Sequence, residues 1–390
     1  MKILLVNMWR VVNAKGGTEK VFCNMANELA RRGHTVKAIC SDPLEGKPGF
    51  FLSDQVEFCN VFNKEKNNKK RSLFLSRPFI NLRALLIFNR EKRHDFRQHC
   101  LAQIHAAKLE EDVADFAPDV ICAFQPEATY VLKKVMKIHC PVVTMFHMAP
   151  DMLKQRDCYP QGIAYSDVVQ VLLPEFVEIT KKLFGNKHVV CIPNVVPRYL
   201  NFSKCNEKKI INIARINRRD KRQHLLIEAF ALLKEKFPDW QLEFWGETHL
   251  DEEYTELLKS KIRDFELCNR VTLCGTTDSV EDVCMSASIF GFPSRSEGFG
   301  LAMAEAMSAG LPVVVCKGCS GVSSLVKDGK NGFFCDSTPE DMAAKLEMLM
   351  RSEELRQTMG KKARESMSQY SAEKVWNQWE QLFKEMVNKN

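Results

Sequence analysis

The 390-residue chain is predicted to be an α/β protein with two doubly wound domains, each a parallel sheet covered by helices on both faces. Three observations lead to this prediction. Short apolar, β-branched runs alternate with segments of helical periodicity along the whole chain, which is typical of parallel sheets. The series stops at a breaker-rich stretch in the middle and then starts again. The length also exceeds the ~250–300 residues at which single hydrophobic cores stop growing.

The first series of elements predicts an N-terminal domain over residues 1–196. The strand candidates are Lys2–Val6, His34–Cys40, Val56–Val61, Val120–Phe124, Pro141–His147, Val168–Leu173 and His188–Ile192. A helix is expected over Gly17–Arg32, because apolar residues recur at four-residue steps from Val21 and Gly33 follows as a helix-ending glycine.

The second series predicts another domain over residues 207–370, after the breaker-rich Ile192–Pro197 and the polar Ser203–Lys209, which together suggest a hinge. The strand candidates are Ile210–Ala214, Gln241–Trp245, Val271–Cys274, Ile289–Pro293, Pro312–Cys316 and Gly332–Cys335. The helix candidates are Arg222–Phe237, Leu250–Glu266, Ser279–Ala287, Gly300–Ala309 and Pro339–Arg351. Residues 371–390 are expected to form a last helix, Ser371–Val387, that crosses back to the N-terminal domain.

The composition favours a soluble globular protein over a disordered or fibrous one, because 45% of the residues are hydrophobic and 27% are charged. No apolar run approaches the ~18 residues that a membrane-spanning helix needs. The N-terminal apolar stretch Ile3–Val6 is too short for a signal-peptide core, so a cytoplasmic location is expected. The fifteen cysteines are scattered and odd in number, and in a reducing compartment they are expected to be small buried hydrophobes. The C-x-x-C of Cys316 and Cys319 lacks a second pair or a nearby histidine, so a metal or redox site is not favoured there.

One segment carries most of the net positive charge. The formal net charge is +7, and from Lys64 to Arg97 eleven basic residues stand against three acidic ones, with leucine, isoleucine and phenylalanine between them. Such a segment suits peripheral attachment to an anionic membrane surface, because apolar side chains insert while lysines and arginines meet the headgroups. A solvated loop beside a helix that packs on its own domain is an equal alternative. Nucleic acid is disfavoured, because no nucleic-acid motif accompanies the segment.

Two adjacent glycines, Gly16 and Gly17, follow the first strand and open the first helix. A backbone without side chains at the positive end of a helix lets an anionic group approach closely. The G-x-G-x-x-G dinucleotide fingerprint is absent, and a lone Gly-Gly turn is common, so the pair by itself is a weak indication of an anion site.

Two cations follow the first strand of the second series. Arg215 and Lys221 lie between this strand and the next helix, where an arginine fork and a lysine point charge are well placed to hold a phosphate. Taken alone, the pattern favours a solvated basic loop that also includes Arg218, Arg219 and Arg222.

The most informative segment is PSRSEGFGLAMAEAMSAGLPVVV, which begins at Pro293. Glu297 lies in a strand-to-helix loop, and Glu305 follows eight positions later, two turns into the helix. Gly298-Phe299-Gly300 lets backbone amides point outward from the helix start, which makes a second candidate anion site. The two glutamates alone would suit a helix dipole, but the whole string is far more specific than its parts.

This string resembles the E-x7-E signature of retaining glycosyltransferases of family 4, which have the GT-B fold of two Rossmann-like domains facing a central cleft. The Gly-Gly loop, the I-P-N hinge, the Arg-to-Lys spacing and the C-terminal helix are similar as well, so the resemblance covers essentially the whole chain. It implies that Arg215 and Lys221 hold the diphosphate of a nucleotide-sugar donor. It also implies that Glu297 contacts the transferred sugar and Glu305 the nucleotide ribose.

The resemblance implies further donor-binding positions in two glycine-containing loops, namely Gly16, Gly17, Gly298, Phe299, Gly300 and Leu301. It places His147, at the end of a predicted strand, near the donor sugar, although a purely structural histidine is an equal alternative. One departure concerns base recognition: Gly246-Glu247-Thr248 stands where the family often has G-x-G.

The function expected from the resemblance is a retaining hexosyl- or N-acetylhexosaminyltransferase with a saccharide or lipid-linked acceptor, in the biosynthesis of cell-surface polysaccharide or glycan. No cofactor and no catalytic metal are expected, because a D-x-D motif is absent and cations and helix N-termini are left to stabilise the leaving diphosphate. A sugar-nucleotide epimerase of the same architecture is the nearest alternative. A dinucleotide-dependent oxidoreductase is less favoured because the dinucleotide fingerprint is absent. A non-enzymatic solute-binding protein is less favoured because no export signal is found.

Overall fold

The computed structural model describes residues 1–63, 77–87, 89–150, 152, 160–185, 188–217 and 220–389. The chain forms two compact units. Unit 1 consists of Met1–Val171, Phe176–Ile192 and Gln378–Asn390, and unit 2 of Leu172–Glu175 and Pro193–Asn377. The domain boundaries proposed from the sequence, at residues 196, 207 and 370, stay predictions.

Unit 1 contains a seven-stranded parallel sheet with the strand order β3-β2-β1-β4-β5-β6-β7. The strands are β1 Lys2–Asn7, β2 Thr35–Cys40, β3 Val56–Asn60, β4 Val120–Ala123, β5 Val142–Met145, β6 Val168–Val171 and β7 Val189–Cys191. The helices are α1 Gly17–Arg31, α2 Arg77–Leu85, α3 Arg90–Phe116, α4 Pro126–Thr129, a π-helix Tyr130–Val135, α5 Pro160–Ala164 and α6 Pro174–Phe184. Strand residues such as Leu4 and Ile121 are fully buried, as expected for a sheet covered on both faces.

Unit 2 contains a six-stranded parallel sheet with the strand order β10-β9-β8-β11-β12-β13. The strands are β8 Lys209–Ile213, β9 Gln241–Trp245, β10 Val271–Gly275, β11 Ile289–Phe292, β12 Val313–Cys316 and β13 Gly332–Cys335. The helices are α7 Gln223–Ala231, α8 Glu252–Asp264, α9 Val280–Met285, α10 Leu301–Ser308, α11 Pro339–Arg351 and α12 Glu353–Met367, followed by a 3-10 turn Ser368–Tyr370. The last helix, α13 Ala372–Asn388, begins in unit 2, and its residues from Gln378 onward belong to unit 1. The predicted fold of two doubly wound parallel sheets is therefore confirmed.

Local signals in the sequence fix several element ends. The hydroxyl of Thr338 accepts a hydrogen bond from the Asp341 amide, and Pro339 stands in the first turn of α11, as the sequence predicts. After α1, the Gly33 amide donates to the Ala30 carbonyl at 2.9 Å, which closes that helix where a glycine stop is expected.

The prediction of α7 was wrong at its far end, since this helix ends at Ala231 instead of Phe237. The guanidinium of Arg270 donates to the carbonyls of Lys234, Phe237 and Trp240 at 2.6–3.0 Å. An arginine from a distant part of the chain thus binds the carbonyls that follow the helix, and no local sequence signal predicts these hydrogen bonds.

Candidate functional site

The candidate site of unit 2 lies where the strand order reverses. β8 and β11 are neighbours in the sheet, with Ile210 opposite Ile289 and Ile211 opposite Phe290. The chain continues to β9 on one side of β8 and to β12 on the far side of β11. In open α/β sheets ligands bind at this reversal, outside the carboxyl ends of the strands. The loops that leave these two ends carry Arg215 and Lys221 after β8, and Glu297 after β11.

Lys221 and Glu297 meet directly. The Lys221 Nζ donates to Glu297 Oε1 at 2.5 Å, and the two side chains are 16% and 12% exposed. A charge-assisted hydrogen bond of this length between two half-buried groups is among the stronger polar contacts that a protein makes. The structure therefore brings together two of the predicted site residues that are 76 positions apart in the sequence.

Backbone contacts hold the Glu297 loop on both sides. The Glu297 amide donates to the Ser320 carbonyl at 2.9 Å, and Arg295 donates its amide to the Asp220 carbonyl at 2.8 Å. Gly321 adopts a left-handed φ of +85°, and a Cβ built there would lie 2.2 Å from the Glu297 carbonyl oxygen. Only glycine fits this close approach, so the loop after β12 is built to pack against the Glu297 backbone.

Arg215 is exposed, and it makes no ion pair within the part of the chain that the structure describes. Its carbonyl accepts a hydrogen bond from the Gln223 Nε2 at 2.9 Å, so the backbone is held while the residue stays exposed. The structure therefore places Arg215 at the same sheet edge as Lys221 without joining their side chains.

The amides of Phe299, Gly300 and Leu301 lie at the start of α10. Gly300 precedes that helix in the left-handed region, with φ 69° and ψ 48°. The first amides of an α-helix have no acceptor within the helix and carry its positive dipole end. Phe299 is buried against Tyr370, with the ring centroids 5.3 Å apart in an edge-to-face arrangement, so this helix start is firmly anchored.

Gly298 and Glu305 are buried on either side of this helix start. Glu305 is 2% exposed, and burial followed by its negative charge raises the pKa of Tyr199. The Glu305 side chain is therefore buried within α10 instead of facing bulk solvent.

The predicted site residues of unit 1 lie at the carboxyl edge of the other sheet. His147 follows β5 and stacks on Phe124, with the ring centroids 5.0 Å apart. Its Nε2 is buried and has no hydrogen-bond partner among the described residues, and burial lowers the pKa of His147 to about 4. The imidazole is therefore neutral at pH 7. Gly16 immediately precedes α1, and a Cβ built there would lie 2.2 Å from a carboxylate oxygen of Glu19, whereas a Cβ built on Gly17 would meet nothing within 4 Å, so only the Gly17 backbone is open to approach.

The segment that departs from the family pattern is bonded to β10 and to the loop after β8. The Gly246 amide donates to the Gly275 carbonyl at 2.6 Å, and the Glu247 carbonyl accepts from the Ile216 amide at 3.0 Å. Gly246 and Glu247 thus border the loop that carries Arg215.

The C-x-x-C cysteines do not pair with each other. Cys316 lies opposite Cys335 on the neighbouring strand, with their sulfur atoms 4.0 Å apart. No group of three metal-ligating side chains is found in the described part of the chain. None of the helices in the described ranges combines the length and the apolar character needed to cross a bilayer.

Sequence reasoning missed the residues that support the site rather than form it. Ser320 and Gly321, which pack on the Glu297 loop, and Asn217, whose side chain accepts from the Asp220 amide at 3.2 Å, lie in loops without a recognised motif. The glycine and the Asn-initiated turn are signals of turns, but not of which loops those turns contact.

The comparisons with known proteins agree with this geometry. Residues 201–366, which contain Arg215, Lys221 and both glutamates, match the family described as glycosyl transferases group 1. A relative from Haemophilus influenzae, an uncharacterised glycosyltransferase, is 26% identical over 94% of this chain and 96% of its own length. The chain is a glycosyltransferase. The matches thus support a glycosyltransferase and not the epimerase, oxidoreductase or solute-binding alternatives.

Two further matches cover nearly the whole transferase. The N-acetyl-alpha-D-glucosaminyl L-malate synthase of Bacillus anthracis is 24% identical over 95% of this chain and 94% of its own length. The solved structure of the pneumococcal O-GlcNAc transferase GtfA in complex with UDP and GlcNAc has a TM-score of 0.77 at 12% identity, covering 99% of each chain. The predicted GT-B fold is confirmed.

Proposed function

We propose that this glycosyltransferase moves a hexosyl or N-acetylhexosaminyl group from a nucleotide-diphosphate sugar to a saccharide or lipid-linked acceptor, with retention of the anomeric configuration. The observation that carries the proposal is the Lys221–Glu297 contact of 2.5 Å at the strand-order reversal of unit 2. This contact puts a cation suited to phosphate beside a carboxylate suited to sugar hydroxyls.

In the proposed donor site, Lys221 and Arg215 hold the diphosphate. Arg215 is exposed and free to turn towards an incoming ligand, whereas Lys221 already lies beside Glu297. The amides at the start of α10 supply further donors to the distal phosphate, because the helix dipole favours negative charge there. The proposed ligands of the helix start are Gly298, Phe299, Gly300 and Leu301.

The remaining proposed roles follow the resemblance. Glu297 orients the transferred sugar, and Glu305 binds the nucleotide ribose. Gly16 and Gly17 are the proposed donor-binding positions at the start of α1, where the Gly17 backbone is open to approach, and His147 is the proposed residue near the donor sugar. Burial keeps His147 neutral at pH 7, so it suits a hydrogen bond to a sugar hydroxyl better than a charge contact with phosphate.

The proposed reaction breaks the anomeric C–O bond and leaves its electron pair on the nucleoside diphosphate. The acceptor oxygen attacks from the same face, and its proton passes to the departing phosphate oxygen. Lys221, Arg215 and the helix amides stabilise the developing negative charge, so the proposal includes no catalytic metal. Glu297 positions the sugar and does not form a covalent intermediate in this scheme.

Donor choice is tested with a panel that starts from UDP-N-acetylglucosamine, since the matched pneumococcal structure holds UDP and GlcNAc. The purified protein is incubated with each nucleotide sugar, with and without a saccharide acceptor and with and without EDTA. We expect nucleotide release that depends on acceptor and persists in EDTA, and an α-linked product by NMR from an α-linked donor. Release that never depends on an acceptor, or inversion of the anomeric centre, would contradict the proposal.

We also propose that an anionic membrane surface is a partner of unit 1. Residues 64–76, which carry five of the eleven basic residues of the segment, lie outside the described residues. The part that follows them carries Leu82, Leu85 and Leu86, which are 62%, 59% and 78% exposed, beside the exposed Arg83. Exposed leucines next to a cation match the requirement for shallow insertion under anionic headgroups.

Vesicle sedimentation tests this partner. Leu82→Ser with Leu86→Ser should weaken binding to phosphatidylglycerol-containing vesicles, and neutralising Lys69, Lys70 and Arg71 should weaken it as well. Leu200→Ser is the matched control, because Leu200 is 94% exposed in unit 2. Equal vesicle binding by the wild type and all the segment variants would exclude the membrane as a partner.

A further inference from the structure

Arg222 has a backbone conformation that is uncommon for its residue type. It follows Lys221 directly and precedes α7 with φ 49° and ψ 41°, in the left-handed region. A residue with a Cβ adopts this region at a conformational cost that glycine does not incur. Other contacts must therefore hold Arg222 there.

The Arg222 side chain supplies such contacts. Its Nε donates to the Pro293 carbonyl at 2.9 Å, and its Nη2 lies 3.4 Å from the Ser294 carbonyl and 3.3 Å from the Ser337 hydroxyl. Pro293 and Ser294 are the first residues of the loop that leads to Glu297. The solvated-loop alternative therefore does not apply to Arg222, while Arg218 and Arg219 lie outside the described residues.

The backbone beside Arg222 also contacts the loop that leads to Glu297. The Asn217 carbonyl accepts from the amides of Lys221 and Arg222 at 3.2 and 3.3 Å, and the Asp220 carbonyl accepts from the Arg295 amide at 2.8 Å. One loop carries Lys221 and the other carries Glu297. The guanidinium is the side chain that fastens the first loop to the second at the position next to Lys221.

We propose that Arg222 is a positioning residue: its left-handed backbone aims Lys221 at Glu297, and its guanidinium locks the two loops so that the ammonium and the carboxylate stay in contact. Two donor atoms of the guanidinium are engaged with protein acceptors, which makes Arg222 a clamp instead of a phosphate ligand. The role in catalysis rests on the proposed function, whereas the geometric role does not.

Arg222→Gly separates positioning from folding. Glycine relieves the left-handed backbone and removes the clamp, so the melting temperature should change little while kcat falls about 10²-fold, the typical cost of misplacing a catalytic group by about 1 Å. Arg222→Lys keeps the charge but cannot fork between two carbonyls, so an intermediate loss is expected. Lys137→Gly is the control, since Lys137 is exposed in unit 1 with φ 58° and should gain the same backbone relief with unchanged turnover.

A double-mutant cycle with Lys221→Ala tests whether Arg222 acts through Lys221. If it does, Lys221→Ala/Arg222→Gly turns over no more slowly than Lys221→Ala alone. Multiplied losses in the double variant, or wild-type turnover in Arg222→Gly, would overturn the proposal. Loss of donor affinity with unchanged kcat would also overturn it, because that result makes Arg222 a ligand of the donor.

A crystal structure of Arg222→Gly keeps the two proposals distinguishable. We expect the Lys221 Nζ to Glu297 Oε1 distance to open beyond about 4 Å, the limit of an ion pair. A distance that remains at the wild-type 2.5 Å refutes the clamp, whether or not the enzyme transfers sugar. Absence of acceptor-dependent turnover in the wild type, by contrast, refutes the proposed function alone.

Discussion

Replacing Lys221 by alanine tests the central contact of the site. The change removes an ammonium 2.5 Å from Glu297 and leaves a carboxylate that is only 12% exposed without its cation. Exposed pairs contribute about 0.2–1 kcal/mol, whereas breaking fully buried ones costs about 3–5 kcal/mol. For this half-buried pair we expect about 1–2 kcal/mol of lost stability, and a larger effect on the reaction.

The larger effect is expected because the proposed function makes Lys221 a preorganised cation at the leaving group, and such a cation contributes about 10²–10³ in rate. The assay measures acceptor-dependent nucleotide release and thermal unfolding of the same preparations. Lys209→Ala is a matched control: Lys209 pairs with Glu243 at 2.7 Å, with side chains 22% and 16% exposed. Lys209 begins β8, so it lies at the opposite strand end from Lys221. It should lower stability similarly and leave kcat unchanged.

Two outcomes would refute this reasoning. Turnover of Lys221→Ala within a few-fold of the wild type would show that the ammonium does not stabilise the leaving group. Equal losses of kcat in Lys221→Ala and Lys209→Ala would show that activity follows stability and not the position of the charge.

Three further predictions concern stability. Arg356→Met should cost about 2–4 kcal/mol in urea unfolding, because three buried carbonyls lose their donor; those carbonyls belong to Cys205, Leu349 and Met350. Burial raises the pKa of Glu380, but hydrogen bonds from His34 and Arg32 outweigh burial and leave this pKa lowered. Glu380→Gln should therefore lower the free energy of unfolding by about 1 kcal/mol at pH 7, and by progressively less as the pH falls below about 4. Because burial lowers the pKa of His147 to about 4, the wild type should lose stability as the pH falls from about 6.5 towards 4. His147→Phe retains a ring on Phe124, and its free energy of unfolding should lack this dependence on pH.

The strands and their order of appearance are readable from the sequence because both faces of each sheet are covered. Val313–Cys316, for example, is buried at every position, so the strand is a continuous apolar run that needs no partner to be recognised. All thirteen strand candidates correspond to strands of the structure, with ends that shift by at most two residues. Helix ends were less readable where a distant side chain decides them, as Arg270 does after α7.

The candidate site was only partly readable, for a related reason. Lys221 and Glu297 have residue types and loop positions that indicate phosphate and sugar chemistry, but their contact depends on the sheet that brings β8 beside β11. Backbone carbonyls and amides hold the two loops that make this contact. Every residue has these groups, so no sequence motif shows which of them will bond. Arg222 illustrates this: in the sequence it is one more cation in a basic loop, and the left-handed backbone with two bonded carbonyls becomes visible only in the fold.

A strand-order reversal places two loops side by side, but it does not hold them at bonding distance. Adjacent β8 and β11 bring Asp220 and Arg295 together through the backbone, and this pairing alone would leave long lysine and glutamate side chains free to sample many rotamers. Ordering both side chains before substrate arrives removes that entropy from the chemical step, which is how a preorganised site gains rate. The proposed clamp at Arg222, one residue from Lys221, supplies this order at the cost of a left-handed backbone, and in the proposed function the sugar donor then meets a cation and a carboxylate whose separation is already set.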